Sequence, residues 1–219
     1  MIEAIVLHVE ASWTSPWVFV AHVALREKGV PFTTSISMVR PGTGAIDLLH
    51  ERTLTGTAPV LQHGTLWIAE SLAIVEYLEE TFPRPRVYPD AVGARARVRQ
   101  LMAWLRADTD HLALRAERPT ERVFYPHQFP PPAPLSPAAR RAAEQSLAVA
   151  TRLGAGGDRF AFETFGVIDV DLAVLVARVQ AGGDLAVPGA LAAYRDRVFA
   201  HPSVRELVLH TRPPNSPLG

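Results

Sequence analysis

Hydrophobic and polar positions follow two different rhythms along the 219 residues, and the change of rhythm divides the chain. Residues 2–9 form an apolar, β-branched run without polar alternation, the pattern of a strand buried on both faces. Ser12-Trp13-Thr14-Ser15-Pro16 predicts a loop, and residues 17–28 predict a helix that Gly29 stops, with Ser15 as N-cap and Pro16 in its first turn. Residues 31–39 are rich in β-formers and predict a second strand; strand, helix and strand in that order require a crossover and parallel pairing. After the turn residues Pro41-Gly42-Thr43-Gly44, residues 45–52 predict a short helix. Pro59-Val60-Leu61-Gln62, the turn His63-Gly64 and Thr65-Leu66-Trp67-Ile68 then predict a hairpin. Leu72, Ile74, Val75, Leu78 and Phe82 mark one face of a helix opened by Glu70-Ser71 and ended by Pro83.

The first 83 residues therefore read β-α-β-α-β-β-α, an α+β domain, and the three prolines of residues 83–90 predict a linker over 84–90. From residue 91 to 219 the rhythm is helical throughout, so the second domain is all-α. Val98, Leu101, Met102, Leu105 and Leu112 predict one long amphipathic helix over 91–117. The proline-dense stretch 126–137 predicts a loop bordering a cleft, followed by helices over 138–153, 169–180, 189–199 and 202–210 and a mobile tail at 213–217.

Composition narrows the chemistry. Twenty-two basic residues balance 22 acidic ones, leaving no field to attract nucleic acid. Only one of the basic residues, Lys28, is a lysine. The apolar stretch from Val18 to Leu25, interrupted by His22, is far short of the roughly 20 residues of a membrane span. The absence of a basic n-region at the start predicts a cytoplasmic protein. There is no cysteine, hence no disulfide, thiolate metal site or cysteine nucleophile, and any sulfur chemistry must use a ligand's sulfur. The eight histidines show neither HExxH nor i, i+4 spacing, so no metal site is predicted, and dinucleotide, P-loop and hydrolase fingerprints are missing.

Three places carry candidate chemistry, each with a plainer reading beside it. Ser15 is positioned to meet an anion or thiolate at a helix N-terminus, although a simple N-cap has the same sequence, and Thr14 and Ser12 are neighbouring hydroxyls. Pro59 opens a strand where proline cannot donate to the ladder; a cis Ala58-Pro59 bond would turn backbone groups outward to pair with an extended ligand, and a trans edge proline is the alternative. Glu70-Ser71 at a helix start suits an ammonium and a carboxylate, the head group of an amino acid, or is an ordinary surface cap.

Together with the element order, these segments resemble the cytosolic glutathione transferases over nearly the whole chain. Glu70-Ser71-Leu72-Ala73-Ile74-Val75-Glu76-Tyr77-Leu78 is the most specific match, beside Ser15-Pro16-Trp17 and Ala58-Pro59-Val60-Leu61. Ala103-Trp104-Leu105-Arg106-Ala107-Asp108 and Glu117-Arg118-Pro119-Thr120 are most similar to a bacterial serine-type subgroup. The resemblance implies a thioredoxin-like first domain that binds glutathione as cosubstrate, no prosthetic group, a helical domain supplying the pocket for an electrophile or organic hydroperoxide, and a homodimer. It makes Ser15 the catalytic hydroxyl that stabilises the glutathione thiolate, with Pro59 in the cis form. Val60 would offer its backbone to the cysteinyl portion, and Glu70 and Ser71 would hold the γ-glutamyl ammonium and carboxylate. Arg40, His50 and Arg52 are the basic candidates for the glycyl carboxylate; Trp13, Trp104, Asp108, His111 and Arg115 are candidates for the second-substrate pocket. The family's second-domain cap has Ser or Thr three residues before an Asp, where this chain has Gly166 before Asp169, with Phe165 and Val170 placed to form a hydrophobic staple. Two alternatives stay open: a zeta-type maleylacetoacetate isomerase, whose Ser-Ser-Cys is Ser15-Pro16-Trp17 here, and a non-catalytic binding protein on the same fold.

Overall fold

A computed structural model describes residues 3–37, 47–154 and 159–214. They form two compact units, Met1–Val87 with Glu206–Gly219, and Tyr88–Arg205.

The first unit is built on four strands, β1 (Ile5–Glu10), β2 (Thr33–Ser37), β3 (Val60–His63) and β4 (Leu66–Ala69), in the order β2-β1-β3-β4. β1 pairs parallel to β2, with Val6 opposite Thr33, and antiparallel to β3, with Leu7 opposite Leu61. Its apolar run is explained by this inner position, since Ile5, Leu7 and Val9 are all buried. The expected crossover helix α1 (Pro16–Glu27) is apolar all round, and every residue from Val18 to Leu25 is buried. Gly29 follows at φ +64, a conformation that ends the helix at little cost to glycine. A short helix α2 (Asp47–His50) precedes β3, and α3 (Ser71–Thr81) buries Ile74, Val75 and Leu78 and packs on α1.

The chain's one lysine closes this packing. Lys28 Nζ, with a fully buried side chain, donates to Glu79 Oε1 at 2.5 Å and to the Phe82 carbonyl at 2.7 Å. Glu79 also accepts from the Val87 N–H at 2.9 Å and from Arg86 at 3.2 Å. The segment expected as a linker is thereby bonded to α3, and both Val87 and Tyr88 are buried. Its Arg84-Pro85 bond is cis, which nothing in the sequence pattern announced.

The second unit holds α4 (Val92–Ala107), α5 (Thr109–Glu117), α6 (Glu121–Phe124), α7 (Pro137–Arg152), α8 (Val167–Gly182) and α9 (Gly189–Ala200). α10 (Pro202–Val208) runs across the boundary into the C-terminal segment. The single helix expected over 91–117 is two, because Asp108 leaves α-geometry at ψ 135 and caps α5, its carboxylate accepting from the N–H groups of Asp110 and His111. α6 was not expected, and the proline stretch contains a 3₁₀ turn at Pro126–Gln128. α8 is the centre of the unit, apolar around its whole circumference, with Val167 to Val179 buried without a break. Its acids are partnered inside: Asp171 takes Arg106 at 2.7 Å, and Asp169 accepts from Gly166 N, Ala161 N and the Tyr194 hydroxyl. Gly166 is the N-cap, as its spacing to Asp169 implies, and Phe165, expected to staple onto Val170, is stacked on His201 with ring centroids 3.7 Å apart.

Candidate active site

The register of the sheet brings the three candidate segments to one end. Val60, the first residue of β3, stands opposite His8 on β1 and Ala69 on β4. The C-terminal end of β1, the start of β3 and the C-terminal end of β4 therefore meet, and α1 and α3 both begin there with their positive ends.

Ser15 caps α1. Its Oγ accepts from Val18 N at 3.4 Å, a long bond, and its hydroxyl proton has no acceptor among the described residues. A hydroxyl accepts and donates at once, so that proton remains to be given to a ligand. The neighbouring hydroxyls are differently placed: Ser12 Oγ and Thr14 Oγ1 lie 3.1 Å apart and both residues are buried, while Ser15 is half-exposed. The backbone N–H groups just before this helix are already bonded. Glu10, at the end of β1, accepts the N–H groups of both Thr14 and Ser15 on Oε1 at 2.7 Å each. What this helix start offers an anion is the hydroxyl and the dipole, and Glu10 has already taken the first amides.

The Ala58-Pro59 bond is cis. Pro59 precedes the strand, so its missing N–H costs the ladder nothing. Val60 does not have the freedom expected of it: it is fully buried, and β1 and β4 enclose its peptide groups on both sides. Ala58, half-buried and outside both ladders, is the residue at this corner whose backbone is not enclosed by strands.

Glu70 follows β4 with φ 71 and ψ 116, a left-handed value that costs a non-glycine residue about 1–3 kcal/mol. Its carboxylate is exposed and accepts from the Thr57 hydroxyl at 3.2 Å, tying the segment before Ala58 to the start of α3. Ser71 is the first residue of α3 and is buried. Of the basic candidates, Arg40 lies outside the described residues. His50 sits against the turn at Gly56 (φ +67), where an added Cβ would come within 2.5 Å of its Nδ1, and Arg52 lies over the Trp67 ring at 5.9 Å.

The pocket candidates of the second unit are bound up in its own packing. His111 bridges Asp108 Oδ1 at 3.2 Å and Ser146 Oγ at 2.8 Å, with Trp104 edge-on at 4.4 Å. The order Asp-His-Ser is that of a hydrolase triad, but Ser146 is fully buried in the middle of α7, so no substrate reaches it and the set ties α5 to α7. Burial holds the His111 pKa below its ordinary value. Arg115 donates to the carbonyls of Leu105 and Arg106. The proline stretch borders a cavity of about 600 Å³ within this unit, lined by Arg122, Phe129, Ala177 and Phe199 among others. Among the described residues no group of three His, Asp or Glu side chains is placed to hold a metal ion, and no helix is long and apolar enough to cross a membrane.

Glu10 and Arg212, which donates to the Trp13 carbonyl, are the residues at this site that the sequence reading missed. An acid closing an apolar strand was a usable signal for Glu10. Arg212 had none, since its partner lies 199 positions away.

Comparison with known proteins gives matches over most of the chain. Residues 14–81 match the glutathione S-transferase N-terminal domain family and residues 91–211 the glutathione S-transferase C-terminal domain family. A stringent starvation protein A homolog from Pasteurella multocida is 31% identical over 196 residues, covering 88% of this chain and 85% of that protein. A probable maleylacetoacetate isomerase from Vibrio cholerae is 46% identical over 50 residues, 23% of each chain. Among solved structures, a glutathione transferase homolog from Burkholderia gl BGR1 with bound glutathione has 31% identity and a TM-score of 0.71, covering 94% of this chain and 96% of that one. A theta class glutathione S-transferase from Xanthomonas axonopodis pv. citri, also with glutathione bound, shares the fold at 21% identity and a TM-score of 0.67, covering 96% of this chain and 99% of that one.

Proposed function

The chain belongs to the glutathione S-transferase family, and from that premise we propose that it binds glutathione at the sheet end where β1, β3 and β4 meet and activates the thiol through Ser15. The observation that carries this reading is the spare hydroxyl proton of Ser15 at the positive end of α1. The cis bond at Pro59 and the Glu70-Ser71 start of α3 lie at the same end of the sheet.

Each group then has a task set by its surroundings. The Ser15 O–H donates to the sulfur, and the α1 dipole adds to the stabilisation of a negative charge there. Ala58, rather than the enclosed Val60, pairs its backbone with the cysteinyl residue in the manner of an added strand. Glu70 takes the γ-glutamyl ammonium, and Ser71 with the start of α3 takes its carboxylate. His50 or Arg52 meets the glycyl carboxylate. The thiolate attacks an electrophilic carbon and displaces its leaving group, or attacks the terminal oxygen of an organic hydroperoxide. In the second case the O–O bond breaks to release the alcohol and leave a glutathione sulfenic acid, which a second glutathione converts to the disulfide and water.

The test is Ser15→Ala with the thiol of bound glutathione titrated by thiolate absorbance. The expected result is a thiol pKa raised by about one unit and a conjugation rate at neutral pH about tenfold lower, the equivalent of one charge-assisted hydrogen bond. An unchanged titration removes Ser15 from the mechanism.

A second reading, binding without turnover, is favoured by one observation: one of the matches that span most of the chain carries the name of a stringent starvation protein, whereas the isomerase match covers 23%. Glutathione binding with no turnover over a panel of electrophiles and hydroperoxides would select it. A homodimer and a cytoplasmic location belong to the same proposal; sedimentation tests the first.

A further inference from the structure

One peptide unit next to Ser15 is held from both ends by charged side chains. The Trp13 carbonyl accepts from Arg212 Nε at 3.2 Å and from Nη2 at 3.0 Å. The N–H of that same peptide, belonging to Thr14, donates to Glu10 Oε1 at 2.7 Å, and the next N–H, of Ser15, donates to the same oxygen. Trp13 itself stands at φ 50, in the left-handed region that a bulky side chain avoids. The strained residue is thus fixed by three neighbours: the Glu10 carbonyl accepts its N–H at 3.3 Å, the His210 ring lies at 4.4 Å from its indole, and Arg212 takes its carbonyl.

Arg212 is in turn set by the end of α10. Its guanidinium also donates to the carbonyls of Leu207, Val208 and His210. The segment is fixed to α1 by Glu206, whose carboxylate takes Arg26 at 2.6 and 2.7 Å.

We propose that Arg212 is a positioning residue for the Ser15 hydroxyl: by clamping the Trp13-Thr14 peptide against Glu10, it holds the loop in the strained form that directs Ser15 to its ligand. This rests on the reading of Ser15 as the thiol-activating group. With the clamp removed, Trp13 relaxes toward negative φ, the two amides on Glu10 shift, and the Ser15 proton leaves its line to the sulfur.

The experiment titrates the thiol of bound glutathione by thiolate absorbance in the wild type, Ser15→Ala, Arg212→Ala, Arg212→Lys and the double variant Ser15→Ala/Arg212→Ala. Arg212→Ala is expected to raise the thiol pKa so that the thiolate fraction at neutral pH falls about tenfold, with the glutathione dissociation constant little changed because Glu70 and Ser71 are untouched. Arg212→Lys is expected not to restore it, since a single nitrogen cannot reproduce the planar fork. In the Ser15→Ala background Arg212→Ala is expected to add nothing, the mark of two groups acting as one. The proposal is overturned if Arg212→Ala leaves the titration unchanged. It is also overturned if Arg212→Lys restores it, because charge alone would then suffice, or if the Arg212→Ala shift persists in full without the Ser15 hydroxyl. Failure of the parent reading has a separate signature, an unchanged titration in Ser15→Ala alone. Should Arg212→Ala not fold, Arg212→Gln, which keeps part of the stem and an amide group, is expected to shift the titration in the same direction, and no shift would overturn the proposal.

Discussion

Burial decides the protonation of His22, a polar side chain on the inner face of α1 and 4% exposed. Its pKa is pushed down to about 4, by burial first; the Glu206 carboxylate 3.5 Å away raises it, and Arg26 and His210 oppose that. The rings of Trp13 and Phe32 stand edge-on to it, and its Nδ1 is buried with no acceptor, so a second proton would have nothing to bond. The folded state therefore binds this proton less readily than the unfolded chain, whose histidine titrates at its ordinary 6.5. His22 takes nothing from stability above pH 6.5, and the protein loses stability as pH falls from there toward about 4, by about 3 kcal/mol in all. Urea midpoints measured across that window are expected to fall with acid in the wild type and to fall less steeply in His22→Phe; equal slopes would show that other groups carry the acid sensitivity.

At the scale of single elements, α8 depends on one carboxylate. Asp169 is buried and collects two amides and one phenol, Ala161 N at 2.8 Å, Gly166 N at 2.9 Å and Tyr194 OH at 2.6 Å. Burial raises its pKa in spite of these donors. Asp169→Ala leaves three donors unbonded and is expected to cost about 4 kcal/mol, read as a lower urea midpoint at an unchanged m-value. Asp169→Asn keeps an acceptor oxygen and is expected to lose less. The same scale shows where the sequence was legible. Ser15-Pro16 and Gly29 bound α1 as local chemistry requires, and Ala58-Pro59 and Glu70-Ser71 lie at strand and helix ends as their composition implies. The 3.6-residue rhythm of α4 was true as far as Leu105 and then misled. Leu112 keeps that rhythm from Leu105 yet is 51% exposed, because Asp108 restarts the helix and gives the buried places to His111 and Leu114. Only strand order shows that β3 is an inner strand, so that the backbone of Val60 is enclosed while that of Ala58, before the proline, is not. Arg212 acts through a contact that no local pattern encodes, its partner lying 199 positions away.

Over the whole molecule, equal numbers of acids and bases leave electrostatics to local pairs, and most of the pairs inside the two units use arginine. The exception is the buried Lys28 with Glu79, where a compact ammonium donates to a carboxylate and a carbonyl that a guanidinium would overfill. That exception makes the chain self-reporting. Lys28 carries the only side-chain amine in the sequence, and none of that side chain is exposed. An acylating reagent in excess therefore has one internal target, reachable only while α1 and α3 are apart. Lys28 is expected to stay unmodified in native buffer and to react in step with loss of structure as urea rises, followed by peptide mass; ready acylation of the native protein would contradict the burial. The yield of that single adduct then becomes a clock for how often this half of the protein opens.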